Sequence, residues 1–413
     1  MQIKILDSID NISPAEWDSL LNSEPNHSLD CTTNTNNVNS SASPFLQHEF
    51  LAAIERHQCV GQRHGWIPRH IVIYDQEIAV AASPLYIKTN SYGEFVFDWA
   101  WADAYQRSGL MYYPKLVSSI PYTPATGQRL LVKSDQNQIR LRQLLIEATI
   151  QLAQQENMSS IHWLFPNSND RLALDSGDLL QRIDTQFHWR NNQYHSFDDF
   201  LQTLTSSRRK KIKRERKRAL EQEVTIRCVE GSQATEDDIS LADFFYRTTF
   251  DKKSGYASFN ANFFRDIAHN IQDCLVIFFA EHNNETIAAS ICYRSGSALY
   301  GRHWGCSKEM HSLHFELCYY QGIDYCINNN LQLFEPGAQG EHKISRGFLP
   351  VPVYSAHWIN HPEFKTAIAQ YLANEIPVIR DYIVELETHS PYKETPVWYK
   401  PIAQEIAMLV HDS

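Results

Sequence analysis

The chain is 413 residues long, 43% hydrophobic, 12% aromatic and 21% charged, with a formal net charge of −11. This length exceeds what one hydrophobic core usually serves, so two domains of about 200 residues are expected and a disordered scaffold is excluded. No apolar run approaches the roughly 18–20 residues that cross a bilayer, so no membrane-spanning helix is expected.

Met1 to Asp7 reach polar groups at once and offer no apolar core of a signal peptide. Residues 22–43, rich in Asn, Ser and Thr, have too little apolar surface to offset ordering and read as a mobile loop. Phe45 to His57 has helical periodicity. Three strands joined by tight turns follow, over Arg69–Tyr74, Ile78–Ile87 and Gly93–Trp101. Leu141–Glu156 then reads as a helix and Ser160–Phe165 as a buried strand. The second half repeats this order, with strands at Leu275–Glu281, Thr286–Arg294 and Ala298–Trp304, a helix at Leu313–Asn328 and a strand at Leu331–Glu335. Both halves place Ala-Ala-Ser in the second strand, at Ala81–Ser83 and Ala288–Ser290. The matching order points to an old duplication of an α/β unit with a mixed (α+β) sheet.

Cys31, Cys59, Cys228, Cys274, Cys292, Cys306, Cys318 and Cys326 form no CxxC pair, and several lie in apolar segments. That pattern suits a reducing compartment, and the cytoplasm is the expected location. Charge is uneven. Residues 206–218 hold nine basic groups and one acid, a local +8, which leaves −19 on the rest. A basic stripe on an acidic protein is either a solvated helix between domains or a dock for a localised anionic partner.

Three stretches of the second half are dense in chemistry-bearing residues: Leu299–Gly305, Leu313–Gly322 and Leu333–Phe348. They fall at a strand end, on a helix and past the next strand, positions that converge on one crevice in an open α/β sheet. Together with Tyr112–Leu116, Pro121–Gly127 and His162–Phe165, they resemble a bacterial family of predicted N-acyltransferases. That family is similar to the Fem-type aminoacyl transferases of peptidoglycan synthesis. The resemblance spans roughly residues 44–390, and the Gly337-Ala-Gln-Gly-Glu-His-Lys343 run is its most distinctive part. It implies a tandem GNAT-like fold: an N-terminal domain over 1–200, a basic helical segment over 201–220 and a C-terminal domain over 221–413 that carries the site. It also implies acyl-CoA or aminoacyl-tRNA as donor, an amine as acceptor and no tightly bound cofactor.

Acyl transfer to an amine needs a base, and Glu335, at the end of an apolar strand, and His342, in a glycine-rich loop, are the candidates. His314 and Glu316 lie on a helix that is apolar nearly all round, so they either line the site or belong to a buried network. Glu316 and Tyr320, four apart, share a face, as do His314 and Gln321. Lys343 and Arg346 supply donors for a carboxylate or phosphate. Gln339 and Glu341 join them in the loop after the strand, where backbone N–H groups at 336–340 are placed to hold an oxyanion. Arg302, His303 and Trp304 alternate across a strand as substrate-binding candidates. Arg208, Arg209, Lys211, Lys213 and Arg214 are the expected phosphate contacts, whether to coenzyme A, to aminoacyl-tRNA or to an anionic lipid surface. The histidines and carboxylates lack metal-ligand spacing, Cys306 is a weak nucleophile candidate, and no Walker or Rossmann fingerprint is present. The rival reading is a non-catalytic module that binds RNA or another polyanion through 206–218.

Overall fold

The computed structural model describes residues 1–21, 42–134, 136–175, 178–221, 223–253, 256–338 and 340–402. The loop expected at 22–43 lies almost wholly outside the described residues, and so does Gln339. By packing, the chain forms two compact units, 1–184 with 353–376 and 185–352 with 377–413. The strands, in chain order, are β1 (Gln2–Leu6), β2 (Trp66–Pro68), β3 (His70–Asp75), β4 (Ile78–Ser83), β5 (Tyr86–Lys88), β6 (Lys115–Ser118), β7 (Leu131–Val132) and β8 (Ser160–Leu164). There follow β9 (Leu180–Arg190), β10 (Val224–Glu230), β11 (Leu275–His282), β12 (Glu285–Arg294), β13 (Ala298–Cys306), β14 (Leu333–Glu335) and β15 (Leu349–Ile359).

In the first unit β1, β3, β4 and β7 form one antiparallel sheet. A second sheet runs β2-β5-β6-β8 and ends on the 355–359 part of β15, with β6 and β8 parallel. Helix Gln138–Gln155 lays Leu141, Leu145, Ile146 and Leu152 into a core with Ile71, Ile73, Val80, Leu116, Ile161 and Trp163. Burial of such side chains is the main favourable term, about 1.5–3 kcal/mol each.

In the second unit the order is β10-β11-β12-β13-β14-β9, antiparallel except for the β13–β14 pair. Its core gathers Phe278, Leu299, Leu317, Ile323, Phe334 and Phe348. The two Ala-Ala-Ser segments occupy equivalent places. Ala81–Ser83 pairs with Ile73–Ile71, and Ala288–Ser290 with Ala280–Phe278. In both hairpins a register shift falls just beyond the first alanine. A shared bulge at a shared tripeptide supports the duplication better than the tripeptide alone.

Two expectations are corrected. Gly93–Trp101 is not a strand. It is a loop that leads into helix Trp99–Arg107, and Gly93 and Phe95 take left-handed φ values of 80° and 60°. The 313–328 helix is not uniform either. Its middle, Glu316–Tyr320, is a π turn, whose extra residue rotates everything after it relative to what precedes.

Candidate active site

β13 runs on to Cys306, but its parallel partner β14 stops at Glu335. Pairing therefore covers only Ala298–Tyr300 against Leu333–Glu335, and beyond it the strands part. β13 bulges at the same level. Cys292 faces Gly301 and Ile291 faces His303, which leaves Arg302 as the extra residue. A Cβ on Gly301 would stand 3.3 Å from Pro336 Cα, so the loop after β14 rests on the β13 backbone.

That loop turns through Gly337 and Gly340 into the 3-10 turn Glu341–Arg346. A Cβ on Gly340 would lie 2.5 Å from the His342 ring, and with φ at 117° only glycine suits the position. Lys343 points back along the loop: its Nζ donates to the Gly337 carbonyl at 2.6 Å, and the residue is 2% exposed. Burial, helped by Arg302 nearby, pulls its ammonium down to about 7. Burial also holds the Arg302 guanidinium down to about 10, opposed by the charge of Glu335. Glu335 is buried, with Oε1 3.9 Å from His188 Nε2. Desolvation takes His188 down to about 3, so it is neutral beside that carboxylate.

His342 offers its outer edge to solvent, while its Nε2 lies 2.8 Å from the Tyr319 hydroxyl. Burial first, then the charges of Arg346 and Lys343, lower its pKa, which favours the neutral base. The His314 ring stands between the end of β13 and this turn, 5.2 Å from Trp304 and 6.4 Å from His342. His303 faces elsewhere, enclosed by Tyr246 at 4.7 Å and Phe259 at 5.5 Å, and burial takes it down to about 3. Of the alternation expected over Arg302, His303 and Trp304, β13 keeps His303 and Trp304 on different neighbours, while the bulge takes Arg302 out of the register. Glu341 accepts a hydrogen bond from Tyr382 at 2.6 Å.

Glu316 and Tyr320 are drawn into another task. Glu316 accepts from Arg216 at 3.0 Å and from Gln321 at 2.8 Å, and Arg216 also reaches Asp324 at 2.7 Å. Tyr320 donates to Glu215, which takes Arg346 at 2.8 Å. Arg346 stacks over Phe315 at 3.5 Å. These contacts seat the basic helix Ser206–Leu220 on the π turn and on the 341–346 turn. It buries Ile212, Glu215 and Ala219, and Lys211 Nζ reaches Ser345 Oγ at 3.4 Å. The helix is therefore not solvated all round. Lys213 and Arg214 face solvent, and Arg208, Arg209 and Lys211 are half-buried. Sequence reasoning missed Glu215, Arg216, Tyr319 and His188. The readable signal for Glu215 was its being the lone acid among nine cations. Among the described residues no group of three potential metal ligands occurs, and no helix is long and apolar enough to cross a membrane.

The parted strands, the bulge and the duplicated unit define a tandem GNAT-like fold of the acyl- and aminoacyltransferase class. Residues 8–394 match the FemAB-like family, whose description is peptidoglycan biosynthesis/recognition, and the chain belongs to that family. No curated protein matches the chain. Among solved structures, FemX aligns with a TM-score of 0.50 at 11% identity, covering 89% of this chain and 100% of its own. A conserved protein from Bacteroides thetaiotaomicron aligns at 0.49 and 11% identity, covering 86% and 99%. A tandem GNAT protein from the clavulanic acid biosynthesis pathway aligns at 0.44 and 8%, covering 87% and 99%.

Proposed function

We propose that the chain transfers an aminoacyl group from aminoacyl-tRNA to an amine acceptor, and that the reaction takes place where β13 and β14 part. The observation that carries this reading is the union of the basic helix with the turn that presents His342 and Lys343, through Glu215–Arg346 and Lys211–Ser345. A phosphate dock and a set of reacting groups thus share one support. Fifteen residues of helix extend about 22 Å at 1.5 Å per residue, a length that suits a run of phosphates better than the few phosphates of coenzyme A. Acyl-CoA is the second reading. What favours it is the stretch of β13 past Tyr300 that β14 leaves unpaired, an edge along which an extended thioester arm can lie.

In the transfer, the acceptor amine attacks the ester carbonyl, forming the C–N bond and breaking the C–O bond to the ribose. His342, neutral near pH 7, takes the amine proton directly or through the Tyr319 hydroxyl, and the leaving ribose oxygen gains a proton. The cations of Arg302 and Lys343, with the N–H groups of Gly337 and Gly340, are the donors this reading assigns to the developing oxyanion, and the charge of Glu335 supports that of Arg302. A charged-tRNA donor places the reaction in the cytoplasm. The test is titration of the full chain with charged tRNA, uncharged tRNA and coenzyme A at low and moderate salt. Preference for charged tRNA supports the reading, and saturable coenzyme A binding without tRNA binding moves the assignment to acyl-CoA.

A further inference from the structure

The loop between β5 and helix Trp99–Arg107 sends its side chains alternately in and out. Ser91, Glu94, Val96 and Asp98 are buried, while Tyr92, Phe95, Phe97 and Trp99 are 69%, 37%, 51% and 44% exposed. From Thr89 to Ala102 the only charged residues are Glu94 and Asp98. Both turn inward to the buried ammonium of Lys115 on β6, which donates to Asp98 Oδ2, to Glu94 Oε2 at 2.8 Å and to Ser91 Oγ at 3.1 Å. Asp98 also accepts from Tyr112 at 2.5 Å, and the Tyr112 hydroxyl lies 3.3 Å from His162 Nε2. His162 meets His357 at 2.7 Å. Arg182 donates to the Phe97 carbonyl at 2.9 Å. Gly93, at a φ of 80°, lays its backbone so close to Tyr122 that a Cβ would stand 2.5 Å from the ring. The loop is thus pinned from beneath, and its four outer rings are held away from any core.

Single exposed aromatics are ordinary, but these four share the stretch 92–99, and the Tyr92 and Trp99 rings meet edge to face at 5.2 Å. At roughly 150–250 Å² per side chain, they leave roughly 400 Å² of mostly apolar surface, as much as the largest patch of a typical monomer. A stable protein interface takes about 800 Å² from each partner, so the patch is small for a second copy of the chain. A bilayer interface needs no matching contour, only projecting rings, and it favours Tyr and Trp at headgroup level. Charge points the same way. The chain carries −11 overall, and an acidic surface is repelled by anionic headgroups. Here the two acids of the loop are buried against Lys115. At its margins stand Arg63, exposed in the turn whose His64 carbonyl accepts from Asn90, and Arg107, paired with Asp103 at 3.1 Å.

We propose that this loop docks the first unit on the surface of a phospholipid bilayer, with Phe95 and Phe97 entering the interface and Tyr92 and Trp99 resting at headgroup level. The buried network beneath then has a purpose. It keeps two carboxylates off the membrane and fixes the backbone, so that docking has little left to order. Docking concerns the first unit alone, and a failure to bind vesicles leaves the transfer reaction assigned to the second unit untouched.

The test is flotation of the full chain with phosphatidylcholine vesicles, whose surface has no net charge to attract the basic helix, at low and at high salt. The expected result is binding at both, with tryptophan fluorescence quenched by lipids brominated in the acyl chain and most of that quenching lost in Trp99→Phe. The double variant Tyr92→Ser/Phe97→Ser, which changes exposed side chains only, should unfold at the wild-type midpoint and bind vesicles about tenfold or more weakly. Wild type that stays unbound, or binds without quenching, overturns the proposal, a readout that needs no variant. So does a double variant that binds as wild type does. So does a wild-type dimer in sedimentation that the double variant dissolves, which would give the patch to a second copy.

Discussion

Arg346 donates to the Glu215 carboxylate at 2.8 Å, and through this pair the turn that presents His342 is fixed to the basic helix. The Arg346 side chain is only 3% exposed, so Glu215→Ala leaves a buried guanidinium without its carboxylate. Removing one partner of a buried pair costs about 3–5 kcal/mol. Denaturant unfolding of Glu215→Ala should show a loss of that order, and transfer should fall with it because the turn loses its support.

The two faces of the basic helix should answer differently to substitution. Arg214 is exposed, and Arg214→Gln should reduce the salt slope of tRNA binding by about 0.7–1 while leaving the unfolding midpoint unchanged. Arg216 faces Glu316 and Asp324, and Arg216→Gln should lower the midpoint instead. Salt-dependent binding and thermal unfolding of both variants check the contrast.

His342→Gln should lower kcat by about 10²–10⁴-fold. The wild-type rate should rise with pH through a value below 6.5, because burial and the charges of Arg346 and Lys343 hold the His342 pKa under its usual 6.5. A positive neighbour disfavours the imidazolium, so Lys343→Met should move that acid limb upward. A pH–rate profile of wild type and Lys343→Met reads the shift.

His357 is fully buried, and desolvation holds it down to about 3. In the unfolded chain it titrates near its usual 6.5, so between these values only the unfolded state takes up the proton. This contribution to stability is present above about 6.5 and falls by about 1.4 kcal/mol per pH unit as pH drops toward 3. Unfolding free energies at several pH values should show a flatter acid slope in His357→Leu, whatever its stability at pH 7.

Much of the second unit was legible because its elements follow simple periodicities. The β11–β12 hairpin, β13 and β14 lie where alternation and apolar runs place them, and Ala288–Ser290 marked the duplication. Gly93–Trp101 misled because its burial does alternate, inward at Glu94, Val96 and Asp98 and outward at Phe95 and Phe97. Here the alternation comes from a loop folded over polar groups, and no ladder partner is present among the described strands. The helix pattern likewise gave no warning of the π turn at Glu316–Tyr320, since one inserted residue leaves an all-round apolar composition unchanged. From sequence, Glu316 either lines a site or satisfies a network, and its partner is not readable. Arg216 lies 100 residues earlier in the chain, and single-sequence reasoning has no route to so distant a pairing. The Lys115 cluster escaped for the same reason: Glu94, Asp98, His162 and His357 come from separated segments.

The central claim is most directly tested by mixing the protein with a pool of charged tRNA and hydroxylamine, a small general amine acceptor, and following aminoacyl hydroxamate in single turnover. The account predicts rapid hydroxamate formation by wild type and a loss of about two or more orders of magnitude in His342→Gln. Wild type that leaves the ester intact, or a His342→Gln variant that transfers at the wild-type rate, would contradict it.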